Sequence, residues 1–174
     1  MTLSTGSAPA NPAAMPVGVL SAWQAALAAE HAAIFGYGAL GPRLPAADTP
    51  LARADEAAHR AVRDATATAV VAAGADPIAS RADYPLPHPL DSPLRARRFA
   101  VQLETTCASA WRYLLAAAST APITPTASTT ATTAGALLAI RRSGQASLTS
   151  SAVRAMRWRA RVDPAAPTEP FPGI

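Results

Sequence analysis

The stretch "DPIASRADYPLPHPLDSP", from Asp76 to Pro93, divides a chain that is otherwise rich in alanine. Its alternating prolines favour an extended, polyproline-like path over the surface. A proline inside a helix costs about 3 kcal/mol, so helices are expected on either side of this stretch and not within it. We therefore interpret the segment from Ala75 to Pro93 as a long connection between the second and third helices.

The 17 prolines are grouped and leave four long intervals free of them. We predict helices from Val17 to Leu40, from Asp48 to Gly74, from Asp91 to about Ala118, and from about Ser128 to Arg161. Asp48 is a candidate helix cap, and proline in the first turn with glycine past the end is typical of helix boundaries. Hydrophobic residues make up 50% of the chain but aromatics only 5%, which favours closely packed helices over strands. The predicted fold is an all-α, antiparallel four-helix bundle.

The length of 174 residues and mass of 17.7 kDa suit one domain. We predict a flexible N-terminal tail at residues 1–16, the bundle at 17–162 and a Pro-rich C-terminal tail at 163–174. No leader pattern and no uninterrupted apolar run of about 20 residues is present, so no membrane span is expected. The single cysteine, Cys107, has no partner for a disulfide and is expected to be buried. We expect a soluble, cytoplasmic protein.

The net charge is +4, and all 15 basic residues are arginine. They are spread from Arg43 to Arg161 instead of forming one stripe, so we expect no nucleic-acid partner and no membrane partner. The densest group surrounds Trp158 and consists of Arg154, Arg157, Arg159 and Arg161. We interpret this group as arginines that favour the dipole at a helix C-terminus. No glycine-rich phosphate loop or nucleophile motif is present, so the sequence identifies no catalytic residue and no small-molecule substrate.

Two glutamates stand in apolar seams. In the first helix, alternating steps of three and four residues connect Leu20, Trp23, Leu27, Glu30, Ile34 and Tyr37. In the third helix, the same steps connect Val101, Glu104, Ala108, Trp111 and Leu115. The fourth helix has no carboxylate in its seam, which contains Ser151, Ala155 and Trp158. A carboxylate buried alone is costly, so Glu30 and Glu104 are expected to be paired, protonated or metal-bound.

The second helix offers two possible inner faces, one weakly apolar with Leu51 and Val62 and one with Glu56, His59, Arg63 and Thr66. Glu56 and His59 are three residues apart, so both can leave one face of a helix. If that face points inward, Glu30, Glu56, His59 and Glu104 form a candidate metal site. Such a carboxylate-rich set suits iron, manganese or zinc. Alternatively, His59, Arg60, Arg63 or Arg112 neutralises the acids in a buried ion-pair network.

Glu30 in "LAAEHAAIFGYGAL", "E-A-A-H" from Glu56 to His59, and Glu104 in "QLETTCASAWRYL" resemble the order of ligands in ferritin-like proteins. Tyr37, two turns after Glu30, resembles a tyrosine that many ferritins share. With "GADP", "YPLP", "RWRA" and "FPG", the chain is similar to an actinobacterial family of ferritin-like domains of unknown function. The resemblance implies a ferritin-like bundle. The fourth helix lacks the second Glu-x-x-His, so a full di-iron centre or storage cage is not expected.

Two functional hypotheses follow. The first is a non-enzymatic helical scaffold or interaction module with a degenerate metal site. The second is a metal-binding or metal-dependent redox protein that uses the four candidate ligands. A homodimer is expected as well, because low charge content is combined with apolar residues on more than one helix face, such as Phe35, Leu40, Phe99 and Tyr113.

Overall fold

The computed structural model describes residues 15–121 and 127–168 of the chain. Its helices are α1 (Val17–Leu40), α2 (Thr49–Ala72), α3 (Pro93–Thr120) and α4 (Ala127–Val162), and a 3₁₀ turn at Gly41–Arg43 follows α1. No strand occurs within the described ranges. The predicted all-α four-helix bundle is confirmed, and the predicted helix limits agree to within about two residues. The tails predicted at 1–16 and 163–174 fall largely outside the described ranges.

Contacts between helices fix their directions. Cys107 of α3 lies against Ala29 of α1, whereas Glu104 contacts Tyr37, so residue numbers rise in opposite directions along these two helices. A Cβ added at Gly36 would lie 2.5 Å from a methyl carbon of Leu103, so glycine is what allows α1 and α3 to approach so closely at this level. Helix α2 is antiparallel to α1 for the same reason, because His59 contacts Glu30 whereas Asp55 contacts Tyr37. Since α2 and α3 therefore run in the same direction, the chain must return along the bundle between them.

The segment at residues 73–92 makes that return, as its proline pattern predicts. The Gln24 side-chain amide donates to the Asp76 carbonyl (2.6 Å) and accepts from the Ile78 N–H (2.7 Å). Farther along α1, the ring of Phe35 packs against that of Tyr84 with their centroids 5.3 Å apart. The crossover is thus attached to the outer face of α1 at two levels.

Apolar side chains fill both halves of the bundle. One cluster includes Trp23, Trp111, Leu114, Leu137 and Ile140. The other includes Tyr37, Leu40, Phe99, Leu103 and Trp158. Glu30 and Glu104, predicted to stand in apolar seams, are fully buried between these clusters. The core therefore encloses a polar layer between two apolar ones.

Two of the side chains behind the dimer prediction are not available for a dimer interface. Leu40 and Phe99 are buried within the chain itself, and Phe35 is partly covered by the crossover. Tyr113 is 59% exposed. The homodimer stays a prediction, with less exposed apolar surface behind it than the sequence indicates. Among the described residues, no helix is both long and apolar enough to cross a membrane.

Candidate functional site

The inward face of α2 contains Asp55 and His59, whereas Glu56 lies on the flank of the helix. Asp55 and His59 are one turn apart and are both buried. Glu56 forms a salt bridge with Arg60, one turn farther on, at 2.5 Å, and 26% of its side chain is exposed. Of the four predicted metal ligands, the structure thus brings Glu30, His59 and Glu104 together and leaves Glu56 outside. The buried carboxylate that α2 contributes is Asp55, the residue before it.

The imidazole of His59 lies between the two buried glutamates. Its Nδ1 is 2.6 Å from Oε2 of Glu30, and its Nε2 is 3.0 Å from Oε1 of Glu104. A ring with carboxylates on both nitrogens donates from both only as the imidazolium. Burial by itself lowers the pKa of His59, but hydrogen bonds with Cys107, Glu104 and Glu30 outweigh it and raise the pKa to about 12. At neutral pH His59 is therefore positively charged.

The oxygens of the two glutamates also accept hydrogen bonds from three other side chains. Nε1 of Trp111 donates to Oε1 of Glu30 at 2.7 Å. Nε of Arg154 donates to Oε2 of Glu104 at 3.0 Å, and the Tyr37 hydroxyl donates to Oε1 of Glu104 at 2.6 Å. Each carboxylate oxygen thus has at least one donor. The hydrogen bonds of this polar layer are therefore all made within the chain. Trp111 and Tyr37 supply the neutral donors, and His59 and Arg154 supply the charged ones.

Arg154 corrects the interpretation of the C-terminal arginines. The sequence groups it with residues near a helix end, but its side chain is only 8% exposed and turns into the bundle. Its Nη2 donates to Oγ of Ser151, one turn back on α4, at 3.2 Å. Ser151, Arg154 and Trp158 follow steps of three and four residues, but so do Ser151, Ala155 and Trp158, the seam that the sequence favours, and Ala155 is buried as well. Spacing alone therefore does not distinguish Arg154 from its apolar neighbour.

The arginines proposed from the sequence as partners of the core glutamates lie elsewhere. Arg60 binds Glu56, and Arg63 binds Asp64 at 2.7 Å, both on the surface of α2. Arg112 is exposed on α3. Of the four residues named as possible neutralising partners, His59 contacts both glutamates, and Arg154, which the sequence did not indicate for this role, is the second cation at Glu104.

Asp55 extends the polar layer toward the apolar cluster that contains Leu40 and Trp158. Nε1 of Trp158 lies 2.9 Å from both Oδ2 of Asp55 and the hydroxyl oxygen of Tyr37. Burial, reinforced by the charge of Glu104, raises the pKa of the Asp55 carboxyl. Burial and the nearby carboxylates also raise the pKa of Tyr37 well above its usual value. Tyr37 therefore stays a neutral donor.

Cys107 is buried, as the sequence predicts, and its thiol lies 3.6 Å from the Ala29 carbonyl oxygen. Burial raises the pKa of this thiol to about 12. Glu30, His59 and Cys107 each offer one possible ligand atom, and the three atoms lie within 4.8 Å of one another. The sequence did not indicate Cys107 as a ligand, because a single cysteine with no nearby histidine in the chain has no metal-site spacing.

The donor set fits a metal ion poorly in its present arrangement. A histidine that ligates needs a nitrogen without a proton, whereas both nitrogens of His59 donate to carboxylates. The thiol of Cys107 is protonated, and the guanidinium of Arg154 lies against Glu104. Within the described residues, no buried side-chain nitrogen or oxygen lacks a hydrogen-bond partner. A metal could enter only by displacing protons and existing hydrogen bonds.

One family model matches the chain over most of its length. The model described as "Domain of unknown function (DUF4439)" matches residues 22–138. The crystal structure of rv2844, a conserved hypothetical protein from Mycobacterium tuberculosis, is similar with a TM-score of 0.70 and 31% sequence identity, over 83% of this chain and 96% of that chain. No curated protein matches significantly. The chain belongs to the DUF4439 family, a domain family of unknown function.

Proposed function

We propose that this chain is a non-enzymatic helical scaffold or interaction module of the ferritin-like type, in which buried ion pairs replace a metal centre. The observation that carries the proposal is the position of His59, whose two ring nitrogens face Glu30 and Glu104. Arg154 adds a second cation on Glu104. Two cations therefore meet two glutamates, and no metal charge is needed to hold these acids together.

The arrangement of the helices supports the ferritin-like part of the proposal. Glu30, His59 and Glu104 come from α1, α2 and α3 in the order that the resemblance implies. On α4, the inward pair with a three-residue spacing is Ser151 and Arg154. This pair offers a guanidinium and a hydroxyl where a ferritin-like metal centre would need a carboxylate and an imidazole.

The test is metal analysis of the purified chain together with melting scans against added Fe²⁺, Mn²⁺ and Zn²⁺. We expect no bound metal and a melting temperature that added metal does not change. Glu30→Ala is predicted to lower the melting temperature equally with and without metal. Glu56→Gln serves as the matched control, because Glu56 lies outside the cluster. Stoichiometric metal in the purified protein, or a metal-dependent rise in melting temperature, would reject the proposal.

A second candidate function is metal binding, or metal-dependent redox chemistry with iron, manganese or zinc. The specific observation behind it is the approach of ligand atoms of Glu30, His59 and Cys107 to within 4.8 Å. Binding there would release protons from His59 and Cys107, so it should strengthen as the pH rises. Co²⁺ added at alkaline pH should then give a thiolate charge-transfer band that Cys107→Ser abolishes. Absence of that band at every pH would exclude a site containing Cys107.

A further inference from the structure

One side of the four-helix bundle is open. Helix α1 packs against α2 and α3, and α3 packs against α4, but α2 and α4 hardly approach each other within the described ranges. The residues with which these two helices face each other are small, mostly alanine, serine and threonine. Small side chains usually allow two helices to pack closely. Here they leave a space between the helices, the α2–α4 cleft.

The α2–α4 cleft has an outer and an inner part, which share Trp23, Ala69 and Ser143. The outer part has a volume of about 410 Å³ and the inner part a volume of about 130 Å³. All the residues that line the inner part lie well within the described ranges. Pockets that bind small molecules commonly have volumes of about 300–1,000 Å³, so the cleft is large enough for one.

Two indoles form the floor of the cleft. Trp23 of α1 lines both parts, and Trp111 of α3 lines the inner part. None of the described residues that line the cleft is charged. The hydroxyl groups of Thr66 and Ser143 donate to carbonyls one turn back in their own helices, at 2.7 Å and 3.1 Å. The lining therefore favours an uncharged, largely apolar ligand, because a charged one would lose its hydration without gaining a counter-charge.

The indole N–H of Trp23 is an unused donor on this floor. The other two tryptophans, Trp111 and Trp158, donate from Nε1 to carboxylates in the core. Nε1 of Trp23 makes no hydrogen bond within the described part of the chain. Among the described residues, no fully buried side-chain nitrogen lacks a partner, so Nε1 of Trp23 must be accessible. Only 6% of Trp23 is exposed and its side chain lines the cleft, so the N–H opens into the cleft.

We propose that the α2–α4 cleft binds a small, uncharged and largely apolar molecule, whose carbonyl or ether oxygen accepts a hydrogen bond from Nε1 of Trp23. A buried indole N–H normally has an acceptor, and this oxygen supplies it. The apolar part of the ligand lies against the indoles of Trp23 and Trp111 and against the alanines of α2 and α4. The site goes beyond the scaffold role proposed above, and no reaction is assigned to it.

The dimensions of the cleft select a small molecule over a protein segment. The inner part is close in volume to an engineered apolar cavity of about 150 Å³ that binds benzene. It therefore accepts an aromatic ring or a short alkyl group. A helix, with a diameter of about 10–12 Å including its side chains, is too wide to reach Trp111 at the bottom of this part.

The experiment titrates the full chain with two neutral naphthalene dyes. Prodan has a ketone oxygen, and 2-(dimethylamino)naphthalene lacks it. Dye fluorescence should show micromolar binding of one prodan molecule per chain and about tenfold weaker binding of the ketone-free dye. This difference should disappear in Trp23→Phe, which retains an aromatic ring but has no N–H donor. Both dyes lose the same ring contacts in the variant, so the ratio of their affinities isolates the hydrogen bond.

Ala69→Leu tests the location of the site. Ala69 lines both parts of the cleft, and leucine would fill the space that the ligand needs. We expect prodan binding to be lost, while the melting temperature stays the same or rises because an apolar space is filled. Ala57→Leu is the matched control, because Ala57 is exposed on α2 and does not line the cleft. This variant should bind prodan as the unmodified chain does.

The proposal is wrong if prodan does not bind the full chain, if both dyes bind it equally well, or if Ala69→Leu leaves the affinity for prodan unchanged. Binding only after deletion of residues 1–14, which precede Met15 at the outer end of the cleft, would assign the cleft to the chain's own N-terminal segment. Binding that is lost as light scattering shows a dimer to form would assign it to a second copy. Metal-dependent melting would reject the metal-free scaffold alone, because the dye affinities are measured without added metal.

Discussion

Two clusters of acids and arginines stabilise this bundle in different surroundings. In the core, His59, Glu30 and Glu104 are completely buried. Near the start of α2, Asp48 accepts hydrogen bonds from Nε of Arg97 (2.7 Å) and Nε of Arg161 (2.9 Å). This second cluster, the Asp48 clamp, connects α2 to α3 and to the end of α4. Its carboxylate is buried, but 27% and 37% of the two arginine side chains are exposed.

The comparison teaches that burial, more than the number of ion pairs, decides how much stability is lost when one partner of a cluster is removed. Water can replace a lost partner in the Asp48 clamp, because both guanidinium groups reach solvent. In the core network, a glutamate that loses its partner stays buried and charged, which is far more costly. Asp48 also occupies the N-cap position of α2, as the sequence predicts. Asp48 makes no side-chain capping bond with α2, because its oxygens are engaged by the arginines of two other helices.

The largest predicted effect is that of His59→Ala. Removing the imidazolium leaves Glu30 and Glu104 facing each other with a cavity between them, so we expect the free energy of unfolding to fall by about 3–5 kcal/mol. Urea denaturation at neutral pH measures this change. His31→Ala is the control, because that histidine is only partly buried and bonds only the Ile78 carbonyl among the contacts described. Equal effects of the two substitutions would contradict the contrast between core and surface.

Arg154→Met is predicted to have the next largest effect. Methionine retains most of the apolar volume but leaves Oε2 of Glu104 without its charged donor, so we expect a loss of about 2–3 kcal/mol. Arg154→Lys should recover part of this loss, since it keeps the charge but not the planar geometry. Thermal and urea unfolding of both variants test this order. A methionine variant as stable as the unmodified chain would show that Tyr37 and His59 alone satisfy Glu104.

The core network also predicts how stability depends on pH. The pKa of His59 is about 12 when folded and about 6.5 in an unfolded chain. The folded state therefore keeps a proton that the unfolded state loses, so the stabilisation is complete below about pH 6.5 and declines as the pH rises toward 12. For this one proton, the free energy of unfolding should fall by about 1 kcal/mol per pH unit at pH 7 and by about 1.4 kcal/mol per pH unit near pH 8.5. His59→Gln should flatten the profile, and parallel profiles for the two proteins would contradict the charge assigned to His59.

The smallest predicted effect is that of Asp48→Asn. Asparagine keeps the shape and one acceptor oxygen, and the arginines gain water, so we expect a loss of about 1 kcal/mol or less. Added salt should reduce the difference between the two proteins, because screening acts on partly exposed pairs. Denaturation at low and high salt measures it. A loss as large as that of His59→Ala would show that the clamp behaves as a buried pair despite its exposed arginines.

The sequence by itself determined the helices, their order and the long crossover. Prolines cannot continue a helix, so their grouping marks the boundaries, and seam spacing places Glu30 and Glu104 inside without any knowledge of their partners. Both inferences are local, since each depends on residues within a few turns of one another. Tyr37 and Trp111 were placed in the same seams, although their hydrogen bonds to the glutamates could not be assigned from spacing.

Only the tertiary structure decided which charges meet. Asp55 and Glu56 are neighbours in the chain, and a rotation of α2 by about 100° would exchange their positions, so its weak apolar pattern cannot choose between them. That rotation is fixed by packing against α1 and by the hydrogen bonds of His59 with Glu104 and of Asp55 with Trp158. Arg154 is 50 residues from Glu104, and nothing in its local sequence names its partner. The physical reason is that a helix specifies its own faces, whereas the pairing of buried charges depends on how four faces are brought together.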